Sequence, residues 1–435
     1  MKFFRQLIVV FVVSVASVTA YAEQPKAVDR PEDLGFAAER LEKMTKAFQG
    51  YVDSGQIPGA VVLIARKNKI AYFRAFGFRD REQKLPMGTD SIFRIASMTK
   101  PIVTVGAMML AEDGKLDILA PVAQYLPEFK DLKVAVEKVD ADGKKEMVLQ
   151  PQVRPMTVQD LMRHTAGLVY APPIGVGPIP DAYRDANIAI MGRNETLAEM
   201  ITKMSKVPLA HQPGEVWEYS MATDVLGRLI EVVSGMELDR YLDERVTRPL
   251  GMTSTSFWVS DADRDRLAQP QADAATGKRP PFFDATQKPK GFSGGAGMVS
   301  SAADYLQFSE MLMGGGQLGK ARLLAPSTVN LMTANALKPG IGYPAGVPRF
   351  GDIGPTPAMG QGFGLGLAVR TAAGENPLPG SVGSYYWTGA FGTTFYIDPK
   401  EQLAIIMMIQ VPGPANAFYR RAVRYLAYQA LVTSN

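Results

Sequence analysis

The chain has 435 residues, 46% hydrophobic and 21% charged, with 31 prolines and 41 glycines; these are the proportions of a folded protein with room for two or three domains, and global disorder is excluded. Its 47 Lys and Arg against 43 Asp and Glu leave a formal charge of +4, too small and too scattered for a nucleic-acid partner. With no cysteine, disulfides, thiol nucleophiles and thiolate metal sites are excluded; with only His164 and His211 a histidine-rich metal centre is disfavoured, and no cofactor or metal is expected.

At the N-terminus Lys2 and Arg5 precede the apolar run 7–13, and Ala20-Tyr21-Ala22 fits an A-x-A cleavage site. This predicts a secretory signal peptide over residues 1–22, an exported periplasmic or secreted product, and no stable membrane span after cleavage. The alternative, a membrane anchor, is disfavoured because Ser14, Ser17 and Thr19 interrupt a stretch already too short to span a bilayer.

Helical spacing of Leu41, Met44, Phe48 and Val52 predicts a first helix over 41–52 that stops at Ser54-Gly55. Runs 60–65 and 70–76 around Lys67-Asn68-Lys69 predict a hairpin, with Gly77 ending its second strand. An extended segment, 92–95, then turns into a buried helix over 102–111 closed by Gly114. Between 115 and 290, loops alternate with short helical patterns at 158–163, 196–201, 224–233 and 238–246, and a small hairpin is predicted at 134–149 around Asp140-Ala141-Asp142-Gly143. Beyond 291, a helix is predicted at 303–313, strands at 364–369, 383–386, 392–397 and 403–409, and a last helix at 417–431. No repeat of 20–50 residues is visible.

The fold class is therefore α+β: an antiparallel sheet flanked by helices, with a mainly helical region inserted. Residues 23–115 and 291–435 are assigned to the sheet domain, and 116–290 to a helical domain carrying the small hairpin. Two connections, 169–187 and 339–362, are long for a compact domain; they frame a pocket or are plain surface loops.

A Ser-His-Asp triad is not visible, since no G-x-S-x-G elbow is present and both histidines read as structural. Ser97-Met98-Thr99-Lys100 is different, because it sits where the extended segment becomes the buried helix. Ser97 and Lys100, three residues apart, share a face, which puts an amine within reach of a hydroxyl. A desolvated lysine can accept a serine proton, and the helix start favours an oxyanion there. The plainer alternative makes Ser97 an N-cap and Lys100 a solvated cation. Two further segments bear on the choice: Pro213-Gly214-Glu215-Val216-Trp217-Glu218-Tyr219-Ser220, which places a phenol on a loop, and Tyr386-Trp387-Thr388-Gly389-Ala390 at a strand end. A glycine at that strand end would let substrate lie close against the edge and offer a backbone donor.

Together, S-x-x-K, then Tyr in P-G-x-x-W-x-Y-S, then W-x-G-A before a Thr-rich strand resemble the serine hydrolases of the class C β-lactamase and penicillin-binding-protein superfamily, and within it the family VIII carboxylesterases. Segments 154–168, 224–227, 249–252 and 294–298 extend the resemblance from about residue 35 to 430. It implies a β-lactamase/transpeptidase-like fold. It also implies that Ser97 is the acylated nucleophile, that Lys100 and Tyr219 form the general base, and that the backbone N–H groups of Ser97 and Ala390 form the oxyanion hole. Trp387, Thr388 and Gly389 match the third motif, which contacts substrate, while His164 is given no catalytic role.

Two departures from the β-lactamase pattern matter. Met221 stands where that pattern has Asn, and Trp387 replaces the Lys of K-T-G, so an amide and a carboxylate-pairing cation are lost. Both point to small neutral or apolar esters cleaved through an acyl-enzyme. The alternative is a β-lactamase or D,D-peptidase acting on β-lactams or peptidoglycan peptides, and a third reading is a non-catalytic penicillin-binding-like protein.

Overall fold

The computed structural model describes residues 26–188, 193–273, 276–280, 282–344 and 354–434. The predicted signal peptide and the centre of the predicted loop 339–362 lie outside the described residues. In chain order, α1 (Ala38–Asp53) leads into β1 (Gly59–Arg66) and β2 (Lys69–Asp80), then the short strands β3 (Leu85–Pro86) and β4 (Ile92–Arg94), and then α2 (Thr99–Glu112). A hairpin of β5 (Val134–Val139) and β6 (Lys145–Gln150) precedes α3 (Val158–Met162), α4 (Pro178–Asp185), α5 (Leu197–Met204), α6 (Ala222–Ser234) and α7 (Leu238–Leu242). The chain returns through β7 (Val299–Ser301), α8 (Ala302–Met313), β8 (Gln317–Leu318), β9 (Ala321–Arg322) and α9 (Pro326–Thr333). It closes with β10 (Gln361–Phe363), β11 (Ala368–Arg370), β12 (Tyr385–Thr388), β13 (Thr394–Asp398), β14 (Leu403–Ile409) and α10 (Asn416–Ala430).

One antiparallel sheet runs β10-β11-β12-β13-β14-β1-β2-β3, so the first hairpin and the last strands of the chain meet where β1 pairs β14, from Ala60↔Ile409 to Arg66↔Leu403. Both strands are buried along their whole length, and apart from Arg66 at the end of β1 both are continuous apolar runs where a half-exposed strand would alternate, as strands covered on two faces require. Neighbouring residues of β13 show the two coverings. Phe395 packs on Tyr305 of α8, with ring centroids 4.9 Å apart, whereas Tyr396 faces Tyr428 and Arg424 of α10. Away from the sheet, α2, α3, α5 and α7 pack on α6. The expected buried helix is α2, with every residue from Thr99 to Leu110 buried; it starts three residues earlier than its apolar run suggested, which brings Lys100 into its first turn. No helix among the described residues is long and apolar enough to cross a membrane.

Three expectations are corrected. The second hairpin strand does not end at Gly77: β2 continues to Asp80, and Gly77 bends it with φ +66°, where an added Cβ would meet the Pro58 carbonyl at 2.5 Å. The strand expected at 364–369 is mostly a turn between β10 and β11. Its leucines are buried all the same, because Leu365 N–H bonds Met332 O and Gly366 N–H bonds Met162 O. Within the loop expected at 169–187 lies α4, which Pro178 can open because the first turn has no use for the missing N–H.

Candidate active site

Strand β4 pairs with β7 and delivers the chain to a single tight turn, Ala96–Met98, before α2 begins. Ala96 has φ +43°, a left-handed conformation that costs an L-residue about 1–2 kcal/mol, so the turn is held by its surroundings. Ile95 N–H donates to Met298 O at 3.1 Å, and Met298 N–H donates to Thr99 Oγ1 at 3.2 Å. The hydroxyls of Tyr305 and Thr393 donate to the carbonyls of Met98 and Ile95 at 2.8 and 3.3 Å. Ser97 is half-buried on this fixed turn, while its neighbours Ala96 and Met98 are buried.

Lys100 is 1% exposed, and its Nζ has three partners: Ser97 Oγ at 3.3 Å, Tyr170 Oη at 3.0 Å and the Gly295 carbonyl at 2.6 Å. The amine thus reaches the hydroxyl, as the three-residue spacing predicts, but two other groups aim it. Gly295 is positioned by Asp224, a buried carboxylate on the first turn of α6 that accepts Gly295 N–H at 3.1 Å and the Ser293 hydroxyl at 2.5 Å. A side chain at 295 would begin 2.4 Å from Asp224 Oδ2. Burial pushes the Asp224 carboxyl up, against the pull of the Ser293 hydrogen bond and the Lys100 charge. Burial also raises the Tyr170 phenol well above its ordinary range, reinforced by Tyr219 and Asp224.

Tyr219 is buried with its ring beside Lys100, whose Nζ lies 4.7 Å from the ring centroid. Trp387 Nε1 donates to the Tyr219 hydroxyl oxygen at 3.3 Å. Trp217, His164, Phe363 and Tyr170 complete an aromatic shell around that phenol and the indole. His164 is itself buried at φ +57°, with Nδ1 3.4 Å from Ser220 Oγ; burial and the Lys100 charge hold it well below the usual histidine range, so it is a neutral ring. His211 is partly exposed, 3.6 Å from Glu218.

Trp387 and Thr388 end β12, and Gly389 and Ala390 begin the turn to β13. Trp387 is 2% exposed and spends its N–H on Tyr219, so in this structure it is packed inside the shell. Gly389 is explained by a close approach different from the one expected. A Cβ there would stand 2.4 Å from the Ile95 carbonyl and 2.2 Å from Thr393 Oγ1, so the turn presses on the segment carrying Ser97. Ala390 is exposed, and its neighbour Phe391 packs with Ala96 and Ala296, with the Phe282 ring tilted against Phe391 at a centroid distance of 4.0 Å. The Ser97 and Ala390 turns therefore share one small apolar cluster.

The structure thus brings Ser97, Lys100, Tyr219 and Trp387 into one contact chain, with Thr388 at the end of β12 and Gly389 and Ala390 on the turn that follows. Sequence reasoning missed Tyr170, the Asp224 brace, the Gly295 carbonyl and Phe282. A polar-tipped Tyr170 inside the apolar run that follows Gly167, and an acid opening an otherwise buried helix, were the available signals.

A family model described as Beta-lactamase matches residues 44–429. Protein Rv1367c of Mycobacterium tuberculosis (strain ATCC 25618 / H37Rv) is 36% identical over 367 residues, 82% of this chain and 87% of that one. Esterase EstB of Burkholderia gladioli is 30% identical over 414 residues, 89% of this chain and 96% of its own. Among solved structures, EstCE1, a hydrolase with promiscuous acyltransferase activity, superposes with a TM-score of 0.72 at 29% identity, covering 93% of this chain and 99% of that one.

Proposed function

The chain belongs to the beta-lactamase family, and on that premise we propose that it is a serine hydrolase that cleaves carboxylic esters through an acyl-enzyme on Ser97. The observation that carries the proposal is Lys100 Nζ at 3.3 Å from Ser97 Oγ, aimed there by Tyr170 and Gly295. Esterase relatives that cover most of the chain support the choice of substrate bond.

In the acylation step the Ser97 proton passes to the Lys100/Tyr219 pair as Oγ attacks the ester carbonyl carbon. The carbonyl oxygen becomes an oxyanion facing the N–H groups of Ser97 and Ala390. A phenolate formed on Tyr219 would have the Trp387 N–H and the Lys100 charge beside it. Collapse of the tetrahedral adduct breaks the C–O bond to the alcohol, and the leaving alkoxide takes back the proton that Ser97 gave up. Water then adds to the acyl group by the same route in reverse and restores Ser97.

Met221 and Trp387, in place of the amide and the cation of the β-lactamase pattern, support neutral esters over anionic lactams or peptide carboxylates. The test is turnover of a short-chain p-nitrophenyl ester and of a chromogenic cephalosporin by the parent and by Ser97→Ala. The reading expects ester turnover far above lactam turnover, and no turnover of either without Ser97. A cephalosporin rate above the ester rate would reverse the substrate assignment.

A further inference from the structure

We propose that Arg420 is a positioning residue that polarises the Gly389–Ala390 peptide and thereby strengthens the Ala390 N–H as the oxyanion donor; the proposal rests on the serine-hydrolase reading above. Arg420 stands in the second turn of α10, and its Nη2 donates to the Gly389 carbonyl oxygen at 2.5 Å. One turn earlier, the Asn416 side chain donates to the Ala390 carbonyl at 3.0 Å and to the Val411 carbonyl at 3.2 Å. Gly392 N–H adds a second donor on the Gly389 oxygen at 3.0 Å. The start of α10 therefore holds both carbonyls of the turn from behind. No hydrogen bond joins the Ala390 N–H to an acceptor among the described residues, which leaves it for the substrate.

The carbonyl that Arg420 grips and the N–H that would bind the oxyanion belong to one peptide unit. In a trans peptide they point in opposite directions, and resonance couples them. A cation on the oxygen draws electron density away from nitrogen, and hydrogen bonds aligned in series strengthen one another. A charge-assisted bond does this more strongly than a neutral one. The benefit grows as charge develops on the substrate oxygen, so it falls on the transition state and not on ground-state binding. The nearby Asn416 has no charge; by the same argument it fixes the geometry of the turn without polarising it.

Three variants separate charge from scaffolding. Arg420→Gln keeps a donor without the charge, Arg420→Lys keeps a charge without the fork, and Arg420→Ala removes both. We expect Arg420→Gln and Arg420→Ala to lose roughly tenfold in kcat on a p-nitrophenyl ester, less than the 10²–10³ for deleting an oxyanion donor outright, with KM and Tm near the parent values. Arg420→Lys should keep most of kcat, and millimolar guanidinium should raise the kcat of Arg420→Ala while leaving the parent unchanged. A kcat within about twofold of the parent in Arg420→Gln overturns the proposal, as does a loss confined to KM or to Tm. If Arg420→Ala does not fold, Arg420→Gln carries the decision. Failure of the underlying reading is seen separately, as ester turnover that survives Ser97→Ala, and would overturn both.

Discussion

Replacing Gly389 by Ala adds one methyl group where the β12–β13 turn meets the segment that carries Ser97. The added carbon would begin 2.2 Å from Thr393 Oγ1 and 2.4 Å from the Ile95 carbonyl oxygen. The buried Thr393 hydroxyl moves only by giving up its hydrogen bond to the Ile95 carbonyl. The Ile95 carbonyl cannot move aside, because it lies two residues before Ser97 and is already tied to Met98 N–H and the Thr393 hydroxyl. Restoring an ordinary contact therefore moves one turn from the other by about 1 Å, and overpacking of this kind costs about 1–3 kcal/mol. A displacement near 1 Å between nucleophile and oxyanion donor costs on the order of 10²-fold in rate. Gly389→Ala should thus melt a few degrees below the parent and lose about two orders of magnitude in kcat, read by thermal unfolding and by p-nitrophenyl ester kinetics. Adding Thr393→Ala should recover only part of the loss, since the backbone clash remains. A Gly389→Ala protein with parental Tm and kcat would refute the claim that this contact sets the spacing of the site.

Tyr170→Phe removes one of three partners of a buried amine; kcat is expected to fall about tenfold with the fold intact, and parental kcat would dismiss Tyr170 from the site. Asp160 takes hydrogen bonds from Arg154, Arg163, Thr157 and Thr165 on the segment leading to His164, and these partners hold its carboxyl at about 2 against desolvation that pushes it up. Its folded value lies below the ordinary carboxyl, so its contribution of about 2 kcal/mol is present above pH ~4 and lost as pH falls through 2. Urea midpoints of Asp160→Asn should lie well below the parent at pH 7 and close to it near pH 2; equal midpoints at pH 7 would contradict this. Glu310 on α8 is the opposite case, a carboxyl raised to about 7 by burial with Oε1 unpartnered. Stability linked to it is full below the ordinary carboxyl value and lost as pH rises through 7, by about 3 kcal/mol. Glu310→Gln should therefore raise Tm at pH 8 and leave it nearly unchanged at pH 4.5, and a shift of equal size at both values would refute the assignment.

The elements legible in the sequence were those whose signal is local. Strand β14 coincides with its apolar run from Leu403 to Ile409, and α1 extends its predicted helix by only a residue or a turn at each end, because run length and helical spacing are fixed by neighbours in the chain. Signals that were local but ambiguous misled. Prolines at 178 and 180 read as loop although proline suits a helix start, and Leu365 and Leu367 read as strand although tertiary packing buries them in a turn. The same division runs through the site. Ser97 and Lys100 are three residues apart across the tight turn that opens α2, so their proximity follows from local chain geometry. Tyr170 and Gly295 reach Lys100 across 70 and 195 residues, and Arg420 reaches Gly389 across 31, through contacts that only the folded sheet and helices create.

The central claim is an acyl-enzyme on Ser97, and covalent labelling followed by peptide mapping addresses it without assuming a natural substrate. The parent chain is treated with a fluorophosphonate, digested, and the modified peptide located by mass spectrometry beside an identically treated Ser97→Ala sample. The account predicts one adduct per chain, on the peptide containing Ser97, and none in the variant. Equal labelling of parent and variant, or an adduct on any other residue of the parent, would contradict it.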